Sequence, residues 1–346
     1  MNKFISIVVP CRNEEQFIAE TIKSLLSQDY DPLRYEILIV DGQSVDGTRT
    51  IILKFEKEYP GRVRLIDNPQ KTTPYALNYG VKAAKGDLVI IMGAHAYYQR
   101  DYLSQCARGI ETYQVDCVGG VIKTLPALTN TLQARAIAMV LSSSFGVGNS
   151  SFRTGVKDSC VVDTVPFGCY RREVFEKAGY FDTDFIRNQD DEFNHRMTKM
   201  GLKMLLIPGI ETSYYARDSW SRLWIMYFQY GYFKPLSAVK HGKIFTWRQL
   251  VPAFLILSLV VLGVAAVFNL FFKWLWLAEV LIYVTANILV ALKLAFAGGI
   301  SLFPFLLIAF VTIHFGYGIG YIQGILDFML LKKHLKNKIK DMAISR

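Results

Sequence analysis

An acidic cluster opens the run Asn188-Gln189-Asp190-Asp191-Glu192-Phe193-Asn194-His195-Arg196-Met197. A carboxylate within reach of a hydroxyl can take its proton, and burial or acidic neighbours raise its pKa toward that task. The same residues also suit the start of a helix. Negative charge complements the helix dipole there, and Asp191–His195 and Glu192–Arg196 fall at i,i+4 spacing. That structural role is open to Asp190, Asp191 and Glu192 alike. Three other stretches carry polar groups that a suitable scaffold would gather: residues 10–14, 41–46 and 93–96.

The elements that must position these residues follow from periodicity. Residues 4–9 are mostly β-branched or apolar and stop at Pro10, which reads as a buried strand. Residues 14–27 place Phe17, Ile18, Ile22, Leu25 and Leu26 on one helical face. Further strands are expected at 35–40, 63–66 and 87–92. Helices are expected at 46–59, with Ser44 or Asp46 as N-cap, and at 74–84. Such alternation builds a mostly parallel, doubly wound α/β sheet, where ligands bind beyond the carboxyl ends of the strands. The three polar stretches all leave strand C-termini. Beyond Tyr113 the pattern predicts a strand at 115–122, a helix at 128–141 and a mobile Gly- and Ser-rich loop at 142–157. A helix at 193–200 is closed by Gly201.

The chain of 346 residues is 52% hydrophobic, and the excess lies in its last third. From Leu250 to Leu331 only Lys273, Glu279, Lys293 and Asp327 are formally charged. Three apolar segments, 250–272, 274–292 and 302–331, are long enough to span a bilayer, the last with a kink expected at Pro304. Gly316, Gly320 and Gly324 share one face of the third, a close-packing signature for a helix–helix partner. The net charge of +10 arises largely from groups flanking this region. Arg217, Arg222, Lys234, Lys240, Lys243 and Arg248 precede it, and Lys332, Lys333, Lys336, Lys338 and Lys340 follow. They suit anionic headgroups and argue against nucleic acid, whose binders carry basic tracts with interleaved aromatics in the soluble part. Residues 217–240 mix these basic groups with Trp220, Trp224 and several tyrosines, as expected of an amphipathic helix in the headgroup plane. Five cysteines without CxxC or Cys/His spacing exclude a zinc motif and point to reduced thiols in a cytosolic domain. The first apolar run is too short for a signal peptide. With three spans and a cytoplasmic catalytic domain the Lys-rich tail would lie outside, against the positive-inside preference.

Several stretches, in order, carry a resemblance to a known family. They are Ile7-Val8-Val9-Pro10-Cys11-Arg12-Asn13-Glu14-Glu15, Ile39-Val40-Asp41-Gly42-Gln43-Ser44-Val45-Asp46-Gly47-Thr48, Leu77-Asn78-Tyr79-Gly80, Phe167-Gly168-Cys169-Tyr170-Arg171-Arg172, Gly179-Tyr180-Phe181-Asp182 and the Asp190 cluster. Over roughly residues 3–235 the chain resembles family 2 inverting glycosyltransferases of the GT-A fold, and its tail resembles the membrane-anchored exopolysaccharide (succinoglycan-type) branch. The resemblance implies a GT-A domain at 1–215, an interfacial segment at 216–248, a transmembrane region at 249–331 and a basic tail at 332–346. It implies that Pro10, Arg12 and Glu14 cradle the nucleoside, that Asp41 accepts hydrogen bonds from the base, and that Lys71, Asn78 and Gly93 lie on the donor side. Asp190 aligns with the general base, and Gln189 stands where the family has Glu. The fourth strand of the family ends in Asp-x-Asp, which holds Mn²⁺ or Mg²⁺ against the diphosphate. Here Gly93-Ala94-His95 removes the first carboxylate and leaves His95 as a ligand that suits Mn²⁺ better than Mg²⁺. The Gln-x-x-Arg-Trp motif of processive synthases is replaced by Phe228-Gln229-Tyr230-Gly231, which implies single transfer.

These expectations describe a multi-pass inner-membrane enzyme with a cytoplasmic catalytic domain, moving sugar from a nucleotide donor to a lipid-linked or envelope glycan. Two alternatives stand beside it. One is a polyprenyl-phosphate glycosyl synthase. The other is an impaired scaffold that only binds sugar nucleotide.

Overall fold

The computed structural model describes residues 3–242 and 247–336. Lys243, Lys338 and Lys340, named above, lie outside the described residues. The chain divides into two units: residues 1–123 with 151–214, and residues 124–150 with 215–346.

The first unit is built on a nine-stranded sheet. Its strands are β1 (Ile5–Cys11), β2 (Tyr35–Asp41), β3 (Val63–Asp67), β4 (Leu88–Ile91), β5 (Ala96–Tyr98), β6 (Cys117–Leu125), β7 (Cys160–Val162), β8 (Cys169–Arg171) and β9 (Met204–Tyr215). The order is β3-β2-β1-β4-β8-β6-β9-β5, with β7 paired to β9. The first four members are parallel, with Cys11 beside Asp41, Val8 beside Ile91 and Asp41 beside Asp67. The β8 strand then enters antiparallel against β4. The sheet is therefore mixed, parallel across β3-β2-β1-β4 and antiparallel where β5, β7 and β8 pair, whereas a mostly parallel sheet was expected.

Side chains alternate across a strand, so each sheet face builds its own layer. Ile5, Ile7 and Val9 join Ile18, Ile22 and Leu25 of α1 (Ile18–Leu26) in one layer. The other layer packs Val8, Leu38 and Val40 against Leu77 and Val81, Phe175, and Phe193. The helices involved are α3 (Thr73–Ala83), α8 (Glu173–Ala178) and α9 (Gln189–Lys199). The α2 helix (Thr48–Glu58) follows β2, and α4 (Tyr102–Tyr113) follows β5. The first helix starts at Ile18, later than its periodicity suggests, because Glu14 and Glu15 are held in the β1 loop. Gly201, at φ +76°, ends α9.

The second unit contains α5 (Leu132–Val140), α10 (Trp220–His241), α11 (Val251–Phe268), α12 (Leu270–Gly298) and α13 (Phe303–Gly324). It also contains α6 (Ser144–Val147), one of two short helices in the stretch expected to be a mobile loop; the other, α7 (Ser151–Thr154), belongs to the first unit. Phe145 explains why α6 is held. Its ring packs edge-on to Phe310 and His314, and its carbonyl lies 2.8 Å from His314 Nε2. Tyr283 Oη lies 3.1 Å from the Nδ1 of that imidazole, which fits the neutral tautomer protonated at Nε2.

Three stretches, Val251–Phe268, Leu270–Gly298 and Ile300–Leu330, are helical, long and apolar enough to cross a membrane. Their joints differ from the expected ones. The side chain of Asn269 accepts from Phe271 N–H, so α12 starts there and Lys273 falls inside it. Pro304 lies in the first turn of α13, where its missing N–H costs nothing, and it begins the helix without kinking it.

The glycine face of α13 is used within the chain. Cβ atoms on Gly320 and Gly324 would overlap the carbonyl oxygens of Phe228 and Tyr232, and one on Gly316 would lie 3.3 Å from that of Trp224. Gly231 of α10 returns the fit against Tyr317. These glycines thus pack against α10 of the same chain, in the segment read as an interfacial helix. Its Leu223, Met226, Tyr232 and Phe233 are buried, while Arg222, Trp224 and Ile225 are exposed. Tyr232 Oη donates to buried Asp327, which also pairs with Lys333 at 2.7 Å. In Gly320→Ala the two helices must separate, at a cost of about 1–3 kcal/mol. Thermal unfolding of detergent-solubilised protein should show a clear fall in Tm. Gly263→Ala, whose Cβ would meet only the Trp276 indole at 3.2 Å, should change it little.

Candidate active site

The parallel register brings the ends of β1, β2 and β4 to one edge of the sheet, where two loops are sewn together by hydrogen bonds. Asn13 N–H donates to Ser44 Oγ at 2.8 Å, and Val45 N–H returns to Asn13 Oδ1 at 3.0 Å. Glu14 N–H donates to Thr48 Oγ1 at 2.7 Å, and Gly47 N–H to Glu15 Oε2 at 2.7 Å. Asp46 accepts from Thr48 N–H at the start of α2 and from Glu15 N–H. Slight burial opposes ionisation of Asp46, but these hydrogen bonds outweigh it and hold its pKa below the usual carboxylate value. Neither expected residue is the N-cap of α2, which is Gly47; Asp46 takes the Thr48 N–H from one position earlier, and Ser44 ties the loops.

Asp41 is wholly buried beneath this seam. Its carboxylate accepts from the N–H and hydroxyl of Ser44 and from Arg49, which also pairs with Asp67 at 2.7 Å. Most of its hydrogen-bonding capacity is therefore used inside the protein. A Cβ on the next residue, Gly42, would lie 3.2 Å from both Arg12 Cδ and the Lys71 carbonyl, so Arg12 and the Lys71 backbone flank Gly42. Arg12 Nε is buried with no hydrogen-bond partner among the described residues. Lys71 itself is exposed, at φ +65°. Pro10 lies within β1 beside Val40, and the strand continues to Cys11 instead of stopping at the proline.

Beyond β4, His95 Nδ1 lies 3.3 Å from Glu14 Oε1. The imidazole is flanked by the rings of Phe17, at 6.4 Å, and Tyr214, at 5.4 Å. No three His, Cys, Asp or Glu side chains converge as a metal cage among the described residues. Two cis ligands of an octahedral ion are roughly 3 Å apart, so Glu14 and His95 fit as part of a divalent site completed by other oxygens. Gly93 cannot take on the missing carboxylate freely. Its Cβ would sit 3.1 Å from Phe167 Cε1, and Tyr98 Oη bonds both its N–H and its carbonyl. Tyr98 is itself fully buried against Phe167, which pushes its hydroxyl pKa far up.

Asn78 does not join the donor cluster. Its amide oxygen accepts from Phe181 N–H at 2.9 Å and its amide nitrogen donates to Phe181 O at 2.8 Å. Arg196 grips the same turn. It is paired with buried Glu192 at 2.6 Å and donates to the carbonyls of Ala178 and Tyr180. The expected i,i+4 pair thus anchors the approach to α9. Asp190 stands exposed in the first turn of that helix, after Asn188 at φ +60°. Burial raises the Tyr170 pKa well up, and the charges of Cys117 and Asp190 add to it. Arg49, the packing of Phe167 against Gly93 and the Glu14–His95 pairing are not visible in the motifs. Arg49 had a signal, since it directly follows Thr48 of a quoted motif; the others depend on packing between distant segments.

The model of the family described as Glycosyl transferase family 2 matches residues 6–179. The chain belongs to this family. It is 36% identical over 273 residues to the dolichyl N-acetyl-alpha-D-glucosaminyl phosphate 3-beta-D-2,3-diacetamido-2,3-dideoxy-beta-D-glucuronosyltransferase of Methanococcus voltae, covering 75% of this chain and 82% of that one. It is 28% identical to the succinoglycan biosynthesis protein ExoA of Rhizobium meliloti, over 93% of this chain and 95% of that one. Among solved structures it resembles the mannosyltransferase PcManGT of Pyrobaculum calidifontis, in complex with GDP-Man and Mn²⁺, with a TM-score of 0.58 and 19% identity over 94% of this chain and 88% of that one. This family 2 glycosyltransferase therefore has the GT-A fold, followed by helices able to anchor it in a membrane.

Two substitutions separate roles at this edge. Asn78→Ala frees the Phe181 turn, so kcat should fall while affinity for nucleoside diphosphate stays near wild type; loss of that affinity alone would return Asn78 to the donor. Gly93→Asp by itself should cost about 1–3 kcal/mol by crowding Phe167 and leave Mn²⁺ affinity unimproved. Combined with Phe167→Ala it should bind Mn²⁺ more tightly than Phe167→Ala alone, as titration calorimetry would read. Equal affinities would show that residue 93 does not face the ion.

Proposed function

We propose that this enzyme binds a nucleotide sugar at the β1–β2–β4 edge and transfers the sugar, with inversion, to a hydroxyl of a lipid-linked or envelope glycan. Asp190 carries the reading. It is an exposed carboxylate on a helix start held by the Asn78–Phe181 and Glu192–Arg196 contacts, which suits a base meeting an acceptor from solvent. The acceptor oxygen forms its bond to the anomeric carbon as the carbon–phosphate oxygen bond breaks. Asp190 takes the hydroxyl proton, and the electron pair leaves on the nucleoside diphosphate. Arg12, Asp41 with Arg49, and Lys71 would frame the nucleoside. His95 with Glu14 would hold a divalent ion, which when bound supplies positive charge for the diphosphate; PcManGT was solved with GDP-Man and Mn²⁺. The name of the Methanococcus relative describes transfer to position 3 of a dolichyl-linked sugar phosphate. That supports a hydroxyl acceptor over a bare lipid phosphate.

The three apolar helices support residence in the cell (inner) membrane as a multi-pass protein. The free thiols support a cytoplasmic catalytic domain. Trp220 and Trp224, with Arg222, support placing the start of α10 along the bilayer surface.

Asp190→Asn should lower transfer by roughly 10²- to 10⁴-fold while donor binding is retained; turnover near wild type would remove Asp190 from the mechanism. EDTA should reduce activity, with Mn²⁺ restoring it better than Mg²⁺. Full activity in EDTA would show that protein cations alone offset the diphosphate.

A further inference from the structure

The Glu14–His95 pair is one carboxylate poorer than the family pattern, so it should hold a divalent ion weakly and leave the diphosphate under-compensated. A fixed cation lies close to it. Arg153, on α7, places its guanidinium 5.9 Å from the centroid of the Tyr214 ring, and that ring lies 5.4 Å from the His95 imidazole. Phe152 supports the guanidinium at 5.6 Å. Both are cation–π contacts, which supply no hydrogen-bond acceptor to the guanidinium N–H groups. Arg153 Nη1 is buried and has no hydrogen-bond acceptor among the described residues. A buried charged donor without an acceptor is costly, and a phosphate would relieve it with short, bidentate, charge-assisted bonds.

We propose that Arg153 is a diphosphate clamp. It donates to the β-phosphate oxygens of the donor and stays with them as the bond to the anomeric carbon breaks and the electron pair passes to the leaving oxygen. The inference rests on the donor reading above and goes beyond it by naming the group that meets the leaving charge. No proton is transferred, because the guanidinium stays charged throughout. A stacked arginine with a purely structural role would not distinguish a nucleoside diphosphate from a monophosphate, whereas a clamp does.

The test is titration calorimetry on the full-length protein in detergent, with UDP and GDP set against UMP and GMP. Wild type should bind at least one diphosphate more tightly than its monophosphate. Arg153→Gln should weaken diphosphate binding roughly 10- to 100-fold and leave the monophosphate unchanged, removing most of that difference. Arg153→Lys, which keeps the charge and the stem on Tyr214 but not the fork, should fall between the two. It serves as the deciding variant if the glutamine protein lacks a cooperative melt. Unchanged diphosphate affinity in the folded variant overturns the clamp, as does an equal loss for both ligands, while wild-type binding leaves the donor reading intact. If wild type binds neither diphosphate, the donor reading fails first and this inference falls with it.

Discussion

A carboxylate removed from water must be met by hydrogen bonds or opposite charge, or the fold does not tolerate it. Asp41, wholly buried at the end of β2, imposes that constraint on everything around it. Ser44 folds back to it with both N–H and hydroxyl, and Arg49 brings a guanidinium that Asp67 holds from the other side. Ser44 in turn receives the Asn13 N–H, which draws in the loop after β1 and with it Glu14 and Arg12. Satisfying one buried charge thus shapes this edge of the sheet before any ligand arrives. That is the preorganisation a transferase needs if the nucleotide is not to bear the cost of ordering its own site.

Close backbone approach is the second organising device, used in each unit for a different end. Gly93 lets Phe167 and Tyr98 close over the end of β4, exchanging a ligand position for aromatic packing. The row Gly316, Gly320 and Gly324 lets α13 meet the backbone of α10. In hydrocarbon there is little hydrophobic drive between helices, so contact area and close fit must hold them. Small residues serve that purpose, and the Tyr232–Asp327–Lys333 contacts add polar attachment at the end of the seam.

The site is also unusual in its balance of charge. A glycine and a glutamine stand where the family carries acids. On the proposed reading, Arg12 and Arg153 would share with a weakly held ion the compensation of the leaving charge. The expected preference for Mn²⁺ follows from the same substitution, because an imidazole and a single carboxylate remain as ligands.

Much of this was legible in the chain itself. Residues 4–9 and 35–40 read as buried strands because β-branched runs have few other folds available, and the strand ends named the edge where the polar loops gather. The apolar segments announced themselves by length, and the glycine spacing named the contact face of α13. What periodicity could not supply was the identity of the partner across each contact. Gly93 reads as a lost ligand, and only packing reveals that Phe167, from a distant segment, fills its place. Asn78 lies in a donor-side motif, yet both ends of its amide are on Phe181. The loop at 142–157 reads as mobile because its glycines and serines carry no period; tertiary contacts turn parts of it into α6 and α7, and bring Arg153 onto Tyr214. Local sequence determines which conformations a segment can adopt, whereas pairings between segments far apart in the chain are decided only when the whole core closes and every buried polar group must find its partner.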